Sequence, residues 1–133
     1  MKIKESDVIK IFKQGGEEAP LEACGYLAGK DNIVTKVFPM VNLDKSEEHF
    51  SFDPAEQFRV MREARNEGLD IFGVYHTHPN STAKPSAEDI KLAYDSSVVY
   101  VIASLLPGLE DIKAYKILQG EVTEELLTVD KNV

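Results

Sequence analysis

The amino-acid sequence predicts an α/β fold, in which helices flank a mixed β-sheet. Segments with helical periodicity alternate along the chain with short β-branched or aromatic segments, and such interleaving is typical of α/β domains. Residues 71–75 are continuously apolar, as expected of a central strand that is covered on both faces. The chain of 133 residues can bury one hydrophobic core, and no repeat, low-complexity tract or linker divides it. We therefore expect a single domain over residues 1–133.

A helix and a pair of strands are predicted at the start of the chain. Ser6 is placed to cap the helix, and Gly15 is placed to end it. Residues 25–29 predict a short strand, and residues 33–41 predict its partner because they are rich in β-branched and aromatic side chains. Residues 30–32 would form the turn between these strands. The apolar stripe of the helix would consist of Val8, Ile9, Ile11 and Phe12.

A second helix is predicted to begin after residue 53. Asp53 is expected as its N-cap, Pro54 as its first residue and Glu56 as the partner that completes a capping box. Gly68 is expected to end it. The alternating residues 50–52, just before it, predict a brief edge strand. The apolar residues at helical spacing in this helix are Ala55, Phe58, Met61 and Ala64.

The second half of the chain predicts one further helix and several strands. Residues 79–85 are bounded by two prolines and must form a loop, after which Ser86 opens the third helix. The apolar residues of this helix would be Ile90, Leu92, Ala93 and Tyr94. The remaining strands are predicted at residues 98–103, 112–118 and 122–129, the last two joined by a turn at residues 119–120.

The composition disfavours several classes of protein. A net charge of −8, a pI near 4.9 and the lack of a Lys/Arg cluster disfavour nucleic-acid binding, which depends on neutralising phosphates. No apolar run approaches the roughly 20 residues that span a bilayer. The first residues do not resemble a signal peptide, so we expect a cytoplasmic protein without a membrane partner. Cys24 is the only cysteine, which excludes an intrachain disulfide and a Cys-rich zinc site. A bound metal would therefore have histidine and carboxylate ligands.

The segment from His76 to Asp89 contains the residues best suited to chemistry. Side chains two residues apart point to the same face of a strand, so His76 and His78 can offer two imidazole nitrogens to one ion. Asp89 follows His78 by eleven residues, in the first turn of the third helix, and a loop of that length can return its carboxylate to the histidines. Two histidines and one carboxylate leave a tetrahedral zinc ion with an open position for water, as in catalytic sites.

Each of these residues also has a simpler structural explanation. A His-x-His pair alone is a weak metal signal, and Ser86 with Asp89 matches the pattern of a helix N-cap. Two imidazoles at the end of an apolar strand nevertheless need partners, and Asp89 can supply one. A zinc hydrolase also needs a base outside the metal's ligands, and Glu22 is one candidate. The residues alone leave four other candidates open, namely Glu17, Glu18, Glu47 and Glu48.

The polar residues around these segments are expected to be structural. Cys24 lies beside a predicted strand and is expected in the core, whereas His49 is expected on the surface. Thr77 should point away from the two histidines and serve as scaffold. Residues 80–85 are equally consistent with substrate contact and with turn formation.

The complete pattern resembles the signature of the JAMM (JAB1/MPN/Mov34) metalloprotease family. That signature consists of a distal Glu, then His-x-His-Pro, six residues and Ser-x-x-Asp. Its positions here are Glu22, residues 76–79, residues 80–85 and residues 86–89. The resemblance extends over nearly the whole chain and includes residues 22–29 and 52–54. Residues 114–117 and 120–125 are especially similar to small bacterial members that trim the C-termini of ubiquitin-like sulfur-carrier proteins.

The resemblance implies a fold, a metal site and an activity. The fold would be of the JAB1/MPN type, a curved mixed sheet flanked by helices in a cytidine-deaminase-like architecture. His76, His78 and Asp89 would hold one zinc ion per chain, Glu22 would act as general base, and Ser86 would donate a hydrogen bond to the developing oxyanion. The activity would be hydrolysis of a peptide or isopeptide bond at the C-terminal tail of a ubiquitin-like sulfur-carrier protein. The alternatives are a non-catalytic scaffold of the MPN type and a small-molecule amidohydrolase with the same zinc site.

Overall fold

The computed structural model describes residues 1–131, and the strands of this part of the chain form one mixed sheet. The helices are α1 (Glu5–Glu18), α2 (Pro54–Asn66) and α3 (Ala87–Lys91). The strands are β1 (Lys2–Lys4), β2 (Cys24–Lys30), β3 (Ile33–Met40), β4 (Asp70–His78), β5 (Val99–Ser104), β6 (Asp111–Leu118), β7 (Glu121–Glu125) and β8 (Thr128–Asp130). The last two residues of the predicted domain, Asn132 and Val133, lie outside the described residues.

The strand that carries the two histidines lies in the middle of the sheet. The strand order is β7-β6-β5-β4-β2-β3-β1-β8, and β4 is antiparallel to β2 and parallel to β5. The predicted mixed sheet and the central position of the apolar segment 71–75 are therefore confirmed. At the C-terminal end of β4, His76 pairs with Cys24 of β2 and His78 pairs with Ser104 of β5. The histidines thus project from a rigid part of the sheet.

Helices cover both faces of the sheet, and successive side chains of β4 point to opposite faces. Tyr75 and Thr77 point toward α1, because Tyr75 belongs to the core on that side and Thr77 lies against Gly15 of α1. His76 and His78 point to the opposite face, as alternation along a strand requires. The core under α1 includes Ile3, Ile11, Leu27, Val34, Tyr75, Val99 and Val101. The core under α2 includes Cys24, Tyr26, Phe38, Met40, Val60 and Ala64.

The first helix begins earlier and ends later than the sequence predicts. Its N-cap is Lys4 rather than Ser6, and no side chain caps it. Gly15 does not end the helix but lies buried inside it, because the helix approaches the sheet so closely there that a Cβ would lie 2.8 Å from Cγ2 of Thr77. Ile9, placed in the apolar stripe, is 59% exposed. A buried glycine thus permits close helix–sheet packing here.

The predicted edge strand at residues 50–52 is absent, although this segment is described. Phe50 and Phe52 instead lie in an irregular connection and pack against the core under α2. Asp53 is the N-cap residue of α2 and Pro54 its first residue, as predicted, but the side chain of Asp53 makes no capping hydrogen bond. Glu56 does not complete a capping box, because its Oε1 accepts the amide hydrogen of Val41, with N and O 3.1 Å apart.

The buried face of α2 is offset from the predicted stripe. Val60 and Ala64 are buried, whereas Phe58 is 66% and Met61 is 50% exposed. The helix ends at Asn66, and Gly68 follows with a positive φ of 72°, which is consistent with the predicted stop. The apolar spacing thus located the helix and the buried Ala64 correctly, but it missed Val60 and wrongly placed Phe58 and Met61 on the buried face.

The third helix is shorter than predicted, and the last predicted strand is two separate strands. Ser86 caps α3 as expected, but the helix ends at Lys91, and Tyr94 beyond it is 85% exposed. Residues 122–129 divide between β7, which pairs with β6, and β8, which pairs with β1 at the other edge of the sheet. The sequence analysis missed β1, whose three residues are too few for a periodic pattern.

The two predicted tight turns are confirmed. Asp31 and Asn32, between β2 and β3, have φ values of 54° and 63°, and Gln119 and Gly120, between β6 and β7, have φ values of 49° and 82°. Asn, Asp and Gly are the residues that best tolerate this left-handed region. No helix among residues 1–131 is both long and apolar enough to cross a membrane.

Candidate metal centre

Four side chains that are far apart in the sequence converge at the end of the central strand. Glu22, His76, His78 and Asp89 each offer one potential ligand atom, and these atoms all lie within 4.8 Å of one another. Nε2 of His76 lies 3.2 Å from Nε2 of His78 and 3.2 Å from Oδ1 of Asp89. Nε2 of His78 lies 2.9 Å from Oδ2 of Asp89. The structure thus brings together the three predicted ligands and the predicted base.

Local structure explains how Asp89 reaches the histidines. His76 and His78 project from the same face of β4, and the loop 79–85 returns the chain to that face before α3 begins. Asp89 is the third residue of α3, and its Oδ2 accepts the amide hydrogen of Ser86, with N and O 2.9 Å apart. In return, Oγ of Ser86 accepts the amide hydrogen of Asp89, with a distance of 3.0 Å. The capping box therefore holds the Asp89 carboxylate in place beside the histidines.

The hydrogen bonding of His78 directs one ring nitrogen into the group. Its Nδ1 lies 2.7 Å from the carbonyl oxygen of Thr82. A carbonyl only accepts, so Nδ1 carries a hydrogen. Nε2 therefore has a lone pair for a metal ion when the ring is neutral, and it donates a hydrogen bond to Oδ2 of Asp89 when the ring is protonated. Such a second contact is the usual way in which a metal-binding histidine is oriented.

Glu22 is buried beside this group, with a 3% exposed fraction. Its Oε1 has no hydrogen-bond partner among the described residues. Burial, as the largest cause, and the charge of Asp89 raise the pKa of Glu22 to about 8, although His78 opposes both. A carboxylate with this environment either keeps a proton or needs a nearby cation.

Asp89 and His78, the two other residues of the group whose pKa is shifted, interact with each other. Burial alone would raise the pKa of Asp89, but hydrogen bonds to His76 and His78 outweigh it and hold that pKa well below its usual range. Burial alone would lower the pKa of His78, but hydrogen bonds to Asp89 and to the Thr82 carbonyl outweigh it and raise that pKa. The two shifts have one cause: the Asp89 carboxylate favours a positive charge on the His78 imidazole.

The residues present fit a divalent metal ion. Potential ligand atoms of two imidazoles and two carboxylates face one small volume, and none of residues 1–131 gives the buried Oε1 of Glu22 a hydrogen bond. A cation there would offset the repulsion among these groups. Nitrogen and carboxylate ligands without cysteine are typical of catalytic zinc sites, which keep one coordination position open.

Two further side chains hold the segment around Glu22. The sequence predicted a structural role for one of them, Thr77, and gave no indication of the other, Asn42. Asn42, which is 3% exposed, donates from Nδ2 to the carbonyl oxygen of Glu22 over 3.0 Å. Oγ1 of Thr77 accepts the amide hydrogen of Ala23 over 2.9 Å. Thr77 does point away from the histidines, as predicted. No spacing or residue type in the sequence indicates Asn42, because its role depends on main-chain partners that only the fold brings near.

The remaining candidate residues have structural surroundings. Cys24 is fully buried in the core under α2, and burial raises the pKa of its thiol far above the usual value. His49 is not part of the group, because its Nδ1 lies 2.9 Å from Oδ2 of Asp44. The core position predicted for Cys24 is thus confirmed. His49 is only half-buried and forms part of a cleft wall.

A cleft of about 590 Å³ opens beside the group, and His76 and Asp89 form part of its lining. The ring of Phe50 packs against that of His76, with centroids 4.9 Å apart. The lining is mostly apolar and aromatic and includes Tyr26, Phe50, Phe52, Val74, Tyr94, Tyr100, Ile102 and Ile117. The cleft is large enough for several residues of an extended peptide.

Comparison with known protein families agrees with this geometry. Residues 4–118 match the family described as prokaryotic homologs of the JAB domain. The CysO-cysteine peptidase of Mycobacterium tuberculosis is 34% identical over 113 residues, which cover 83% of this chain and 77% of that protein. The desampylase of Pyrococcus furiosus is 33% identical over 84 residues, which cover 63% of this chain and 60% of that protein.

Solved structures show the same fold. Protein DSY2949 of Desulfitobacterium hafniense superposes with a TM-score of 0.91 at 36% identity, covering 99% of this chain and 94% of that one. AF2198 of Archaeoglobus fulgidus, a JAB1/MPN domain protein, has a TM-score of 0.66 at 21% identity, covering 97% of this chain and 98% of that one. The latter likeness concerns the fold alone. The chain belongs to the JAMM family, as one of its small prokaryotic JAB members. Its peptidase relatives support the classification of this chain as a protease.

Proposed function

We propose that this chain is a zinc-dependent peptidase that hydrolyses the C-terminal tail of a ubiquitin-like sulfur-carrier protein. The observation that supports this proposal most is the convergence of Glu22, His76, His78 and Asp89, with ligand atoms within 4.8 Å of one another, beside a cleft that His76 and Asp89 help to line. In our proposal His76, His78 and Asp89 hold one zinc ion per chain. The full ligand set disfavours a purely non-catalytic scaffold.

The proposed chemistry divides the work between the metal and the protein. Bound zinc would lower the pKa of water toward about 7 and polarise the scissile carbonyl. Glu22 accepts a proton from the attacking water while the water oxygen bonds to the carbonyl carbon. Glu22 then donates that proton to the leaving amine as the C–N bond breaks. The products are a carboxylate and a free amine.

The surroundings of Glu22 suit both halves of this proton transfer. Its raised pKa, about 8 without a metal, reflects a site in which the protonated acid is stable. A neighbouring cation favours the carboxylate form and so moves the pKa back toward neutrality. A general base is most effective when its pKa lies near the working pH.

Ser86 is proposed to stabilise the oxyanion. Its Oγ already accepts the amide hydrogen of Asp89, which uses one lone pair, but its hydroxyl hydrogen remains available as a donor. The capping role and the oxyanion role are therefore compatible. A donor aimed at a developing oxyanion contributes mainly in the transition state.

The proposed substrate class rests on the relatives and on the shape of the cleft. One relative is named a CysO-cysteine peptidase and another a desampylase, and we extend the first activity to this chain as removal of an amino acid or short extension from a carrier tail. The apolar, aromatic cleft beside His76 is suited to an extended tail with apolar side chains. Isopeptide-linked conjugates of such carriers are the second substrate that we propose to test.

The test is incubation of the protein with ubiquitin-like carriers that bear C-terminal extensions or isopeptide-linked lysine peptides. Intact mass should show loss of the extension with zinc-loaded protein and none with chelator-treated protein. A matched small-molecule amide should not be hydrolysed at a comparable rate. Cleavage of the amide alone would point to an amidohydrolase, and a zinc-loaded protein that cleaves neither would support a scaffold.

A further inference from the structure

Glu22 and Ala23 lie just before β2, outside any helix or strand. Their backbone is therefore not fixed by a regular ladder of hydrogen bonds. Both residues are buried, and buried main-chain groups need partners. The position of the Glu22 carboxylate thus depends on whichever groups hold these two residues.

Four hydrogen bonds hold the main chain of this pair. The amide of Glu22 donates to the carbonyl oxygen of Ser46 over 2.9 Å, and Nδ2 of Asn42 donates to the carbonyl oxygen of Glu22 over 3.0 Å. The amide of Ala23 donates to Oγ1 of Thr77 over 2.9 Å, and the amide of Thr77 donates to the carbonyl oxygen of Ala23 over 2.9 Å. Every donor and acceptor of the two residues' main chain is satisfied, two of them by side chains.

Thr77 stands between the two histidines on the same strand. Its side chain is fully buried on the opposite face, where Gly15 of α1 leaves just enough room for its methyl group. Its hydroxyl therefore cannot turn to water, and the bond to Ala23 fixes the Glu22 segment directly to the backbone that carries His76 and His78.

Asn42 makes a second connection, to the cleft wall. Its Nδ2 also donates to the carbonyl oxygen of His49 over 3.0 Å, and its Oδ1 accepts the amide hydrogen of Asp44 over 3.1 Å. Phe50, the next residue after His49, packs against the ring of His76. The same amide group thus ties Glu22 to the segment that shields one side of the site.

We propose that Thr77, through its Oγ1, is a positioning residue that sets the Glu22 carboxylate relative to His76 and His78, with Asn42 as its counterpart on the other side of Glu22. This inference rests on the proposed role of Glu22 as the base. The Thr77 side chain lies on the opposite face of the sheet from the proposed metal ligands. Its bond to the amide of Ala23 fixes the position of Glu22 relative to the two histidines.

The decisive comparison is between Thr77→Val and Thr77→Ser. Valine keeps the shape of threonine but removes the acceptor, whereas serine keeps the acceptor. We expect Thr77→Val to bind one zinc per chain like the unsubstituted protein, to keep its KM within about twofold, and to lose kcat by roughly 10–100-fold, since small misplacements of a reacting group have effects of this size. Thr77→Ser should restore kcat to within about threefold. Ile3→Val, in the core far from the site, should lower thermal stability without changing kcat.

A second readout does not depend on activity. In metal-free protein, the amide hydrogen of Ala23 should exchange with solvent at least tenfold faster in Thr77→Val than in Thr77→Ser. A crystal structure of the valine variant should place the Glu22 carboxylate more than 4.8 Å from the nearest of the other three ligand atoms. If Thr77→Val does not fold, Asn42→Ala provides the same comparison from the other side, with the same expected loss of kcat and retained zinc.

The outcomes separate this inference from the proposed function. An unchanged kcat in Thr77→Val, an unchanged Ala23 exchange rate, or loss of zinc instead of kcat would overturn the positioning role. If the unsubstituted protein cleaves no carrier substrate, the proposed function fails, while faster exchange and a displaced Glu22 in the valine variant would still establish the structural connection.

Discussion

Oδ2 of Asp89 lies 2.9 Å from Nε2 of His78 and also accepts the amide hydrogen of Ser86. One carboxylate therefore caps a helix and completes a candidate metal site. The two explanations of Asp89 that the sequence leaves open are not alternatives, because the cap is what holds the carboxylate in the geometry that the site requires.

Asp89→Ala should lose both zinc and activity. The substitution removes one of three proposed ligands and also breaks the capping box, which should cost the metal-free protein about 1 kcal/mol of unfolding free energy. Zinc per chain after dialysis, measured by atomic absorption, is the direct readout. Glu88→Ala, one residue earlier on the exposed side of α3, is the matched control and should keep both. A zinc-replete Asp89→Ala protein would reduce Asp89 to a helix cap.

Glu22→Ala should abolish turnover and leave zinc bound. The proposed base is outside the three ligands, so its removal should lower kcat by roughly 100-fold or more while one zinc per chain remains. Glu18→Ala, on the preceding helix, serves as the control and should retain activity. If Glu22→Ala turns over substrate at the original rate, another group takes the proton.

The stability of the metal-free protein should depend on pH through Glu22. The pKa of Glu22 rises from an ordinary 4.5 to about 8 on folding, so the folded state holds a proton that the unfolded state has lost between these values. The stabilisation from the protonated acid is complete below pH 4.5 and is lost as the pH rises through about 8, at no more than about 1.4 kcal/mol per pH unit. Glu22→Gln has no such titration.

Urea unfolding of chelator-treated proteins at pH 5, 7 and 9 checks this. Relative to the unsubstituted protein, Glu22→Gln should gain stability as the pH rises. If the free energy of unfolding changes with pH in the same way in the two proteins, the pKa of Glu22 is not raised by burial.

Ser86 should affect both stability and rate. Ser86→Ala removes the acceptor that caps α3, at a cost of about 1 kcal/mol, and also removes the proposed oxyanion donor, which should lower kcat by roughly 100-fold with little change in KM. Ser86→Thr keeps both functions of the hydroxyl and should be close to the original protein. Loss of stability with an unchanged kcat would assign Ser86 to capping alone.

Two neighbouring glycines in α1 should respond in opposite directions to alanine. At Gly15 a Cβ would lie 2.8 Å from Cγ2 of Thr77 and 3.1 Å from Cδ2 of Leu105, so Gly15→Ala should destabilise the protein by about 1–3 kcal/mol. At Gly16 a Cβ would meet no atom of the described residues within 4 Å, so Gly16→Ala should stabilise the helix by about 0.5–1 kcal/mol. Chemical denaturation of both variants measures the difference. Equal effects would contradict the close approach of α1 to β4.

The sequence predicted the central strand and the three candidate ligands that the structure brings together, because these depend on patterns within one segment of the chain. The apolar run at residues 71–75 has the character of a doubly covered strand, and the spacing of His76 and His78 puts them on one face. Glu22 could be chosen only through the family resemblance, because its approach to the histidines depends on the pairing of β2 with β4, which no local pattern encodes.

The errors in the fold have the same physical origin. Gly15 matches the usual helix stop, but a tertiary contact with Thr77 gives it a place inside α1. Glu56 matches a capping box, yet it bonds to the distant amide of Val41. Residues 122–129 match one strand, but β8 pairs with β1 across the sheet. In each case a partner far along the chain determines the outcome.

Diffraction data collected at the zinc absorption edge, on crystals of zinc-loaded protein, show whether His76, His78 and Asp89 hold a zinc ion. We predict one anomalous peak per chain, about 2.0–2.1 Å from Nε2 of His76 and Nε2 of His78 and about 2.0–2.2 Å from a carboxylate oxygen of Asp89, with Glu22 close by but not bound to the ion. A zinc-loaded crystal with no peak between these three side chains, or with its peak elsewhere on the chain, would show that they do not form the zinc site.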